Sequence, residues 1–415
     1  MESYLWVVLL QKTRNGAQRA FIVALLILLG WSSAAPALAA GPSGPDLSAA
    51  GAILIDLDTG QVLYEKNADT QFFPASTTKI MTALVALERG KLADVITCGE
   101  SVRSVDGSRI YLEVGEQETL RDLLYAMMLS SANDAAVAIA EHYGGTVEKF
   151  VDLMNAKAAE LGAKNTHFVT PNGLHDPAHV TTARDLAIIA RTAMQNPVFA
   201  QIVNTREHDM PWPAKNSIRQ LFNINDLLYS FDGAIGVKSG YTTQAQHTLV
   251  GAAARSGMRL LSVTLRSDLG HRYADGRALL AWGFEHFKPQ VVVERGANVG
   301  VLTVRTQRIP LVTVGRITYD AYDAAGNPPR LETKLVLSPR RGLPKRGQIV
   351  GRLDLLADGQ LITSAPVAAA ADAKAVPLWA WFAVGGLVGT GWQVRQLAIR
   401  RRRRLFAQRR RKRLR

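Results

Sequence analysis

The chain has 415 residues, 47% of them apolar, and a formal net charge of +14. That length carries two or three domains with real cores, and that apolar content excludes a disordered polymer. Twelve Lys/Arg and no Asp/Glu lie between Arg395 and Arg415, so the other 394 residues carry only +2, and the basicity belongs to a tail rather than to a nucleic-acid-binding body.

In chain order, Lys12, Arg14 and Arg19 flank an apolar core, Ala20–Trp31, and the small residues Ala37–Ala39 follow. This is the pattern of a secretory signal peptide over 1–39, so the body is expected outside the cytoplasm. Gly51–Asp69 holds two apolar runs around "DTG" and predicts a β-hairpin. A helix-like run follows Pro74. Thr119–Met128 and Asp134–Tyr143 read as helices separated by the polar break "LSSAN", and Val147–Leu161 and Thr182–Met194 as two more. The intervening "THFVTPNGLHDPAHVT" reads as loop with a turn at Asn172–Gly173. Gly233–Thr242 opens a strand-rich stretch, and "HTLVGAAARSGMRLLSVTLR" predicts two strands turning at Ser256–Gly257. Arg277–Phe287 reads as an amphipathic helix. Cys98 is the single cysteine, so no internal disulfide forms, and "ITCGES" offers no histidine to activate a thiol.

Strands, then helices, then strands and a helix predict an α+β fold over 40–288, an antiparallel sheet flanked by helices with an α-helical cluster. Short alternating runs between Gly and Pro turns predict a small all-β domain over 289–363. An Ala-rich linker is expected over 364–374. Ala375–Trp392 has 18 residues without charge, close to the length needed to cross a bilayer, and predicts a transmembrane helix over 375–394. Trp379, Trp381 and Trp392 lie near its ends, and the arginines after it place the 395–415 tail in the cytoplasm and the body on the outer face. Attraction of that tail to anionic lipid is the expected partner interaction.

Three polar clusters stand out. Ser76 and Lys79, in "PASTTKIM", lie three apart, one helical turn on a common face. They read either as a helix cap with a spare lysine or as a nucleophile and its base, the latter requiring a lysine whose pKa is lowered. Ser131 and Asn133, in "LSSANDAA", read either as an interhelical turn or as a proton relay and a substrate-binding amide. Lys238, Ser239 and Gly240, in "GVKSGYT", read either as an exposed strand or as a strand whose missing side chain at Gly240 admits a substrate backbone, with Lys238 adding positive field.

Together and in this order, S-T-T-K, S-A-N and K-S-G resemble the S-x-x-K, S-D-N and K-T-G set of serine β-lactamases and penicillin-binding proteins. The flanking text resembles the low-molecular-mass penicillin-binding proteins that are serine-type D-alanyl-D-alanine carboxypeptidases, from Leu47 to Phe287 with a trailing β domain. That resemblance implies attack by Ser76 on the carbonyl between two terminal D-alanines, Lys79 as base and Ser131 as proton relay. It implies that Asn133 binds the substrate amide, that Lys238 aids the relay, and that the N–H groups of Ser76 and Tyr241 form an oxyanion hole. Ser239, Gly240 and Arg272 would complete the substrate site, Ser239 and Arg272 holding the terminal carboxylate. The implied partners are the peptidoglycan stem peptide and β-lactams as acylating inhibitors, with no cofactor and no metal. K-S-G departs from K-T-G by one methyl. A peptidoglycan endopeptidase is the nearest alternative. A β-lactamase is disfavoured because Leu161–Asp176 contains no glutamate, and a non-catalytic wall-binding protein because every catalytic side chain is present.

Overall fold

The computed structural model describes residues 44–212, 215–304, 307–322, 329–339 and 342–373, together with Arg395. The expected signal peptide, the expected membrane span and all of the basic tail except Arg395 lie outside these residues. Among the described residues no helix is long and apolar enough to cross a membrane.

The first hairpin is β1 (Gly51–Asp56) and β2 (Val62–Lys66), and the short strands β3 (Val95–Thr97) and β4 (Gln117–Thr119) pair with each other. A second small hairpin, β5 (Glu207–Trp212) and β6 (Ser217–Phe222), precedes β7 (Ala234–Thr242), β8 (Gln246–Arg255) and β9 (Met258–Ser267). The main sheet has the order β2-β1-β9-β8-β7 with antiparallel neighbours, so β7 is an edge strand. Ser256 (φ 50°) and Gly257 (φ 81°) turn β8 into β9, both left-handed, as a two-residue hairpin turn requires.

Six helices cover one face of this sheet: α1 (Lys79–Arg89), α2 (Leu120–Leu129), α3 (Asn133–Gly144), α4 (Val147–Leu161), α5 (Ala183–Met194) and α6 (Pro197–Asn204). Thr119, Thr146, Thr182 and Asn196 each accept a backbone N–H at a helix start, and Gly145 and Gly162 end two helices in left-handed geometry. Helix α7 (Arg272–His286) covers the other face. The pleat divides the apolar residues between the two layers: Ile53 and Ile55 of β1 join the helical cluster, while Ala52 and Leu54 pack with Leu279, Leu280 and Trp282 of α7. Helix α7 begins five residues before the expected Arg277, so Arg272 is a helix residue. The α6 helix and the β5–β6 hairpin carry too few residues to register as periodic segments.

Among the described residues from Phe287 to Ala373 the regular elements are all strands. β10 (Phe287–Val293) pairs with β13 (Ile317–Tyr322). β11 (Asn298–Val304), β12 (Gln307–Thr313), β14 (Leu331–Leu337), β15 (Ile349–Ala357) and β16 (Gln360–Ala369) form a five-stranded sheet over Ile309, Leu311, Leu353, Leu355 and Val367. One expectation is corrected here. Ser364–Ala369 is not linker but the second half of β16, paired with β15, and Ala365, Val367 and Ala369 are buried in that core. Small residues that look like low complexity in sequence are here the size the packing requires. The strands meet the main sheet at its first turn, where Gln61 Nε2 donates to the Asp320 carbonyl (2.9 Å) and Asp320 N donates to Gln61 Oε1 (2.8 Å).

Candidate active site

Ser76 stands in a single 3-10 turn, Ala75–Thr78, that leads directly into α1. Its side chain caps nothing, so the cap reading of "PASTTKIM" is excluded for Ser76. Ala75 has φ 49°, a left-handed geometry that strains an alanine and persists only where neighbours enforce it. Two neighbours do. A Cβ on Gly173 (φ 85°) would lie 1.9 Å from the Ala75 carbonyl oxygen, and one on Gly240 would lie 2.7 Å from Ser76 N. Both glycines exist because backbone approaches backbone there. Thr248 Oγ1 of β8 donates to the Pro74 carbonyl (3.0 Å) and ties the turn to the sheet.

Lys79 is fully buried. Its Nζ donates to Ser76 Oγ (2.9 Å), Asn133 Oδ1 (2.7 Å) and the Asn172 carbonyl (2.6 Å). Burial, with the charge of Lys238 adding to it and that of Asp134 opposing, holds its pKa well below the usual ammonium range. A lysine so placed can take a proton from the serine hydroxyl it touches. The Asn133 side chain is fixed from its other end by Nδ2 donating to the Asp106 carbonyl (2.6 Å). Next to it Asp134, also buried, accepts from the N–H groups of Ile110, Leu112 and Ala135 and shapes the 106–112 loop around the site.

Ser131 sits between α2 and α3 with φ 60°, buried, a second strained residue at the same centre. Lys238 is buried too; its Nζ donates to the Ser239 carbonyl (2.8 Å), and burial, with the Arg272 charge adding to it, pulls it down to about 7. Gly240 and Tyr241 follow on the same edge strand, beside the Ser76 turn. Arg272 donates through Nε (2.9 Å) and Nη2 (2.6 Å) to His247 Nδ1, and His247 pairs across the ladder with Tyr241. The structure thus draws the three sequence clusters together, with Arg272 beside the third.

Several participants carry no sequence signal of their own. Asn172 offers a main-chain carbonyl, which any residue has. His247 and Tyr273 are set by β8 and α7; the Tyr273 hydroxyl donates to the Ile224 carbonyl (2.7 Å) and lies 3.4 Å from Ser239 Oγ. His179 is held within the fold: Nδ1 accepts from Val169 N (2.9 Å) and Thr170 N (3.2 Å), and Nε2 lies 2.8 Å from Thr78 Oγ1. Burial pulls its pKa down to about 4, so it is a neutral strut under the α1 start, with both ring nitrogens engaged.

A match to the D-alanyl-D-alanine carboxypeptidase family spans residues 38–268. The chain is 35% identical over 337 residues to the D-alanyl-D-alanine carboxypeptidase DacF of Bacillus subtilis, covering 78% of this chain and 85% of that protein. It is 42% identical over 255 residues to DacB2 of Mycobacterium tuberculosis, covering 60% of this chain and 86% of that one. Among solved structures, penicillin binding protein 5 from Haemophilus influenzae superposes with a TM-score of 0.66 at 30% identity, covering 80% of this chain and 99% of the other. The strained serine turn, the buried lysine and the edge strand beside them belong to a chain that is a member of the D-alanyl-D-alanine carboxypeptidase family.

Proposed function

We propose that the protein removes the terminal D-alanine from peptidoglycan stem pentapeptides through an acyl-enzyme on Ser76. The observation that carries this is the 2.9 Å contact between Lys79 Nζ and Ser76 Oγ, with the lysine buried and its pKa lowered. Neutral Lys79 takes the Ser76 proton as Oγ bonds to the penultimate carbonyl carbon. The oxyanion faces the N–H groups of Ser76 and Tyr241. The C–N bond then breaks, and the leaving amine of D-alanine takes a proton by way of Ser131, with Lys238 behind it. Water attacks the ester, releases the shortened peptide and returns the proton to Ser76. Asn133 orients Lys79 and keeps its second Nδ2 hydrogen for the substrate amide. Ser239, Lys238 and Arg272 hold the terminal carboxylate, and Gly240 leaves space for the substrate backbone. β-Lactams enter the first half of this path and stop at the ester. In the segment where a β-lactamase would supply a glutamate, Asn172 supplies a carbonyl, which cannot serve as a base for water.

On the same reading the chain is exported under a signal peptide at 1–39. It is anchored by a helix at 375–394, with the catalytic body on the outer membrane face and the basic tail at anionic lipid on the cytoplasmic side. The sequence patterns at the two ends support this part.

The test is product analysis with the intact protein. It releases D-alanine from a D-Ala-D-Ala pentapeptide and is labelled by fluorescent penicillin, and Ser76→Ala abolishes both. Labelling that survives Ser76→Ala refutes the assignment, and cleavage of cross-linked dimers in place of terminal D-alanine release makes the protein an endopeptidase.

A further inference from the structure

A cavity of about 350 Å³ opens beside the nucleophile turn, between the β7–β8 turn and the segment that leads into Ser76. Gln71, Phe72, Phe73, Val180 and Gln244 line it, and Arg266 is the one charged residue of its lining. Its volume lies at the lower end of the range for small-ligand pockets.

Arg266 arrives there by a deliberate distortion. In the β8–β9 ladder Leu249 faces Thr264 and His247 faces Ser267, so Leu265 and Arg266 together oppose Thr248. This β-bulge gives Arg266 a φ of 55° and turns an exposed side chain out at the sheet end. Bulges re-aim side chains and cluster next to active sites, and a non-glycine residue in left-handed geometry carries a conformational cost. Nothing within the fold repays that cost through the side chain: among the described residues the Arg266 guanidinium has no ion-pair or hydrogen-bond partner.

The order of groups along β7 says what would approach it. Lys238 and Ser239 come first, then Gly240 beside Ser76 N, then Thr242 and the turn that forms the cavity wall. A substrate whose terminal carboxylate lies at the first station and whose scissile carbonyl lies at the second must leave past the third. With a strand rise of about 3.3 Å per residue, Gly240 to Thr242 spans about 7 Å, the length of two peptide residues.

We propose that this cavity is a subsite for the acidic part of the stem peptide, with Arg266 pairing a carboxylate one or two residues before the D-alanine pair. The inference rests on the carboxypeptidase reading and extends it to the class of stem the enzyme prefers. The apolar walls of Phe72, Phe73 and Val180 would pack the alkyl portion of that residue.

The experiment compares two pentapeptides with the intact protein. One carries free carboxylates on its second and third residues; the other is the same peptide with those carboxylates amidated. The free acid is expected to have a kcat/KM about tenfold higher. Arg266→Gln is expected to remove that preference through KM, with kcat and the rate of penicillin labelling within twofold of the parent, and Arg266→Lys to restore part of it. Equal use of the two peptides by the parent overturns the proposal. So does an Arg266→Gln variant that keeps the preference or loses kcat on both peptides alike. Release of D-alanine from neither peptide refutes the carboxypeptidase reading itself, and the subsite with it.

Discussion

Gly240 of the edge strand lies against the backbone of the Ser76 turn, and Gly240→Ala tests whether that approach sets the rate. The added Cβ would lie 2.5 Å from Thr248 Oγ1, 2.7 Å from Ser76 N and 3.1 Å from Ala75 Cβ. An ordinary contact to nitrogen is about 3.4 Å, so strand and turn must separate by about 0.7 Å. Neither can give way cheaply. Thr248 is bonded to the Pro74 carbonyl in front, and Gly173 closes the space behind Ala75. Overpacking of this kind costs about 1–3 kcal/mol of stability. Because the displaced atoms are, on the proposed function, the nucleophile turn and an oxyanion donor, acylation should slow by about 10²-fold, or about 2.7 kcal/mol in the barrier. The assay is the second-order rate of labelling by fluorescent penicillin, read beside the thermal midpoint from calorimetry. A rate within twofold of the parent at an unchanged midpoint would refute the reasoning, because the 0.7 Å would then have been absorbed elsewhere.

Lys238 carries its proton below about 7 and loses it above, so kcat/KM for D-alanine release should fall as pH rises through about 7. Lys238→Arg, which cannot deprotonate in this range, should move that limb beyond pH 9; a limb that stays in place assigns it to another group. Asp320 is buried near Asp56, and burial first, then the Asp56 charge, pushes its carboxyl up to about 7. A raised folded pKa contributes stability that is full below the unfolded value near 3.8 and is lost as pH rises through about 7. The full loss is bounded at about 4 kcal/mol. Asp320→Asn should flatten the decline of the thermal midpoint between pH 5 and 8; the same decline in both proteins refutes it.

The three motifs that the structure brings together were legible because each places its residue types at short spacings within single elements. Ser76 and Lys79 share one turn, and Lys238, Ser239 and Gly240 share one strand. The helices that start near Thr119, Val147 and Thr182 were legible through their apolar periodicity. What stayed hidden is whatever a residue does through its main chain or through tertiary packing. The Asn172 carbonyl is such a case, as is the burial that lowers Lys79, because three other elements close over it. Arg272 fell outside the expected helix, Arg277–Phe287, because the helix it starts has its strongest apolar pattern only from Ala278 onward. The alanines of β16 read as linker because a small side chain looks the same in sequence whether it packs in a core or faces water.

The three contacts of Lys79 Nζ also settle a matter of direction. As an ammonium the group has three hydrogens, and each is spent on one acceptor: Ser76 Oγ, Asn133 Oδ1 and the Asn172 carbonyl. When the lysine is neutral, one hydrogen is replaced by a lone pair that needs a donor. A carbonyl and an amide oxygen have no hydrogen to offer, so neither can reverse its role. The serine hydroxyl can. Of the three partners it alone can turn around, so the lone pair can be satisfied within this set in one orientation, facing the hydrogen of Ser76. On the proposed function the two asparagines therefore do more than hold Lys79 in place: because the atoms they present to it cannot donate, they dictate which bond the proton crosses.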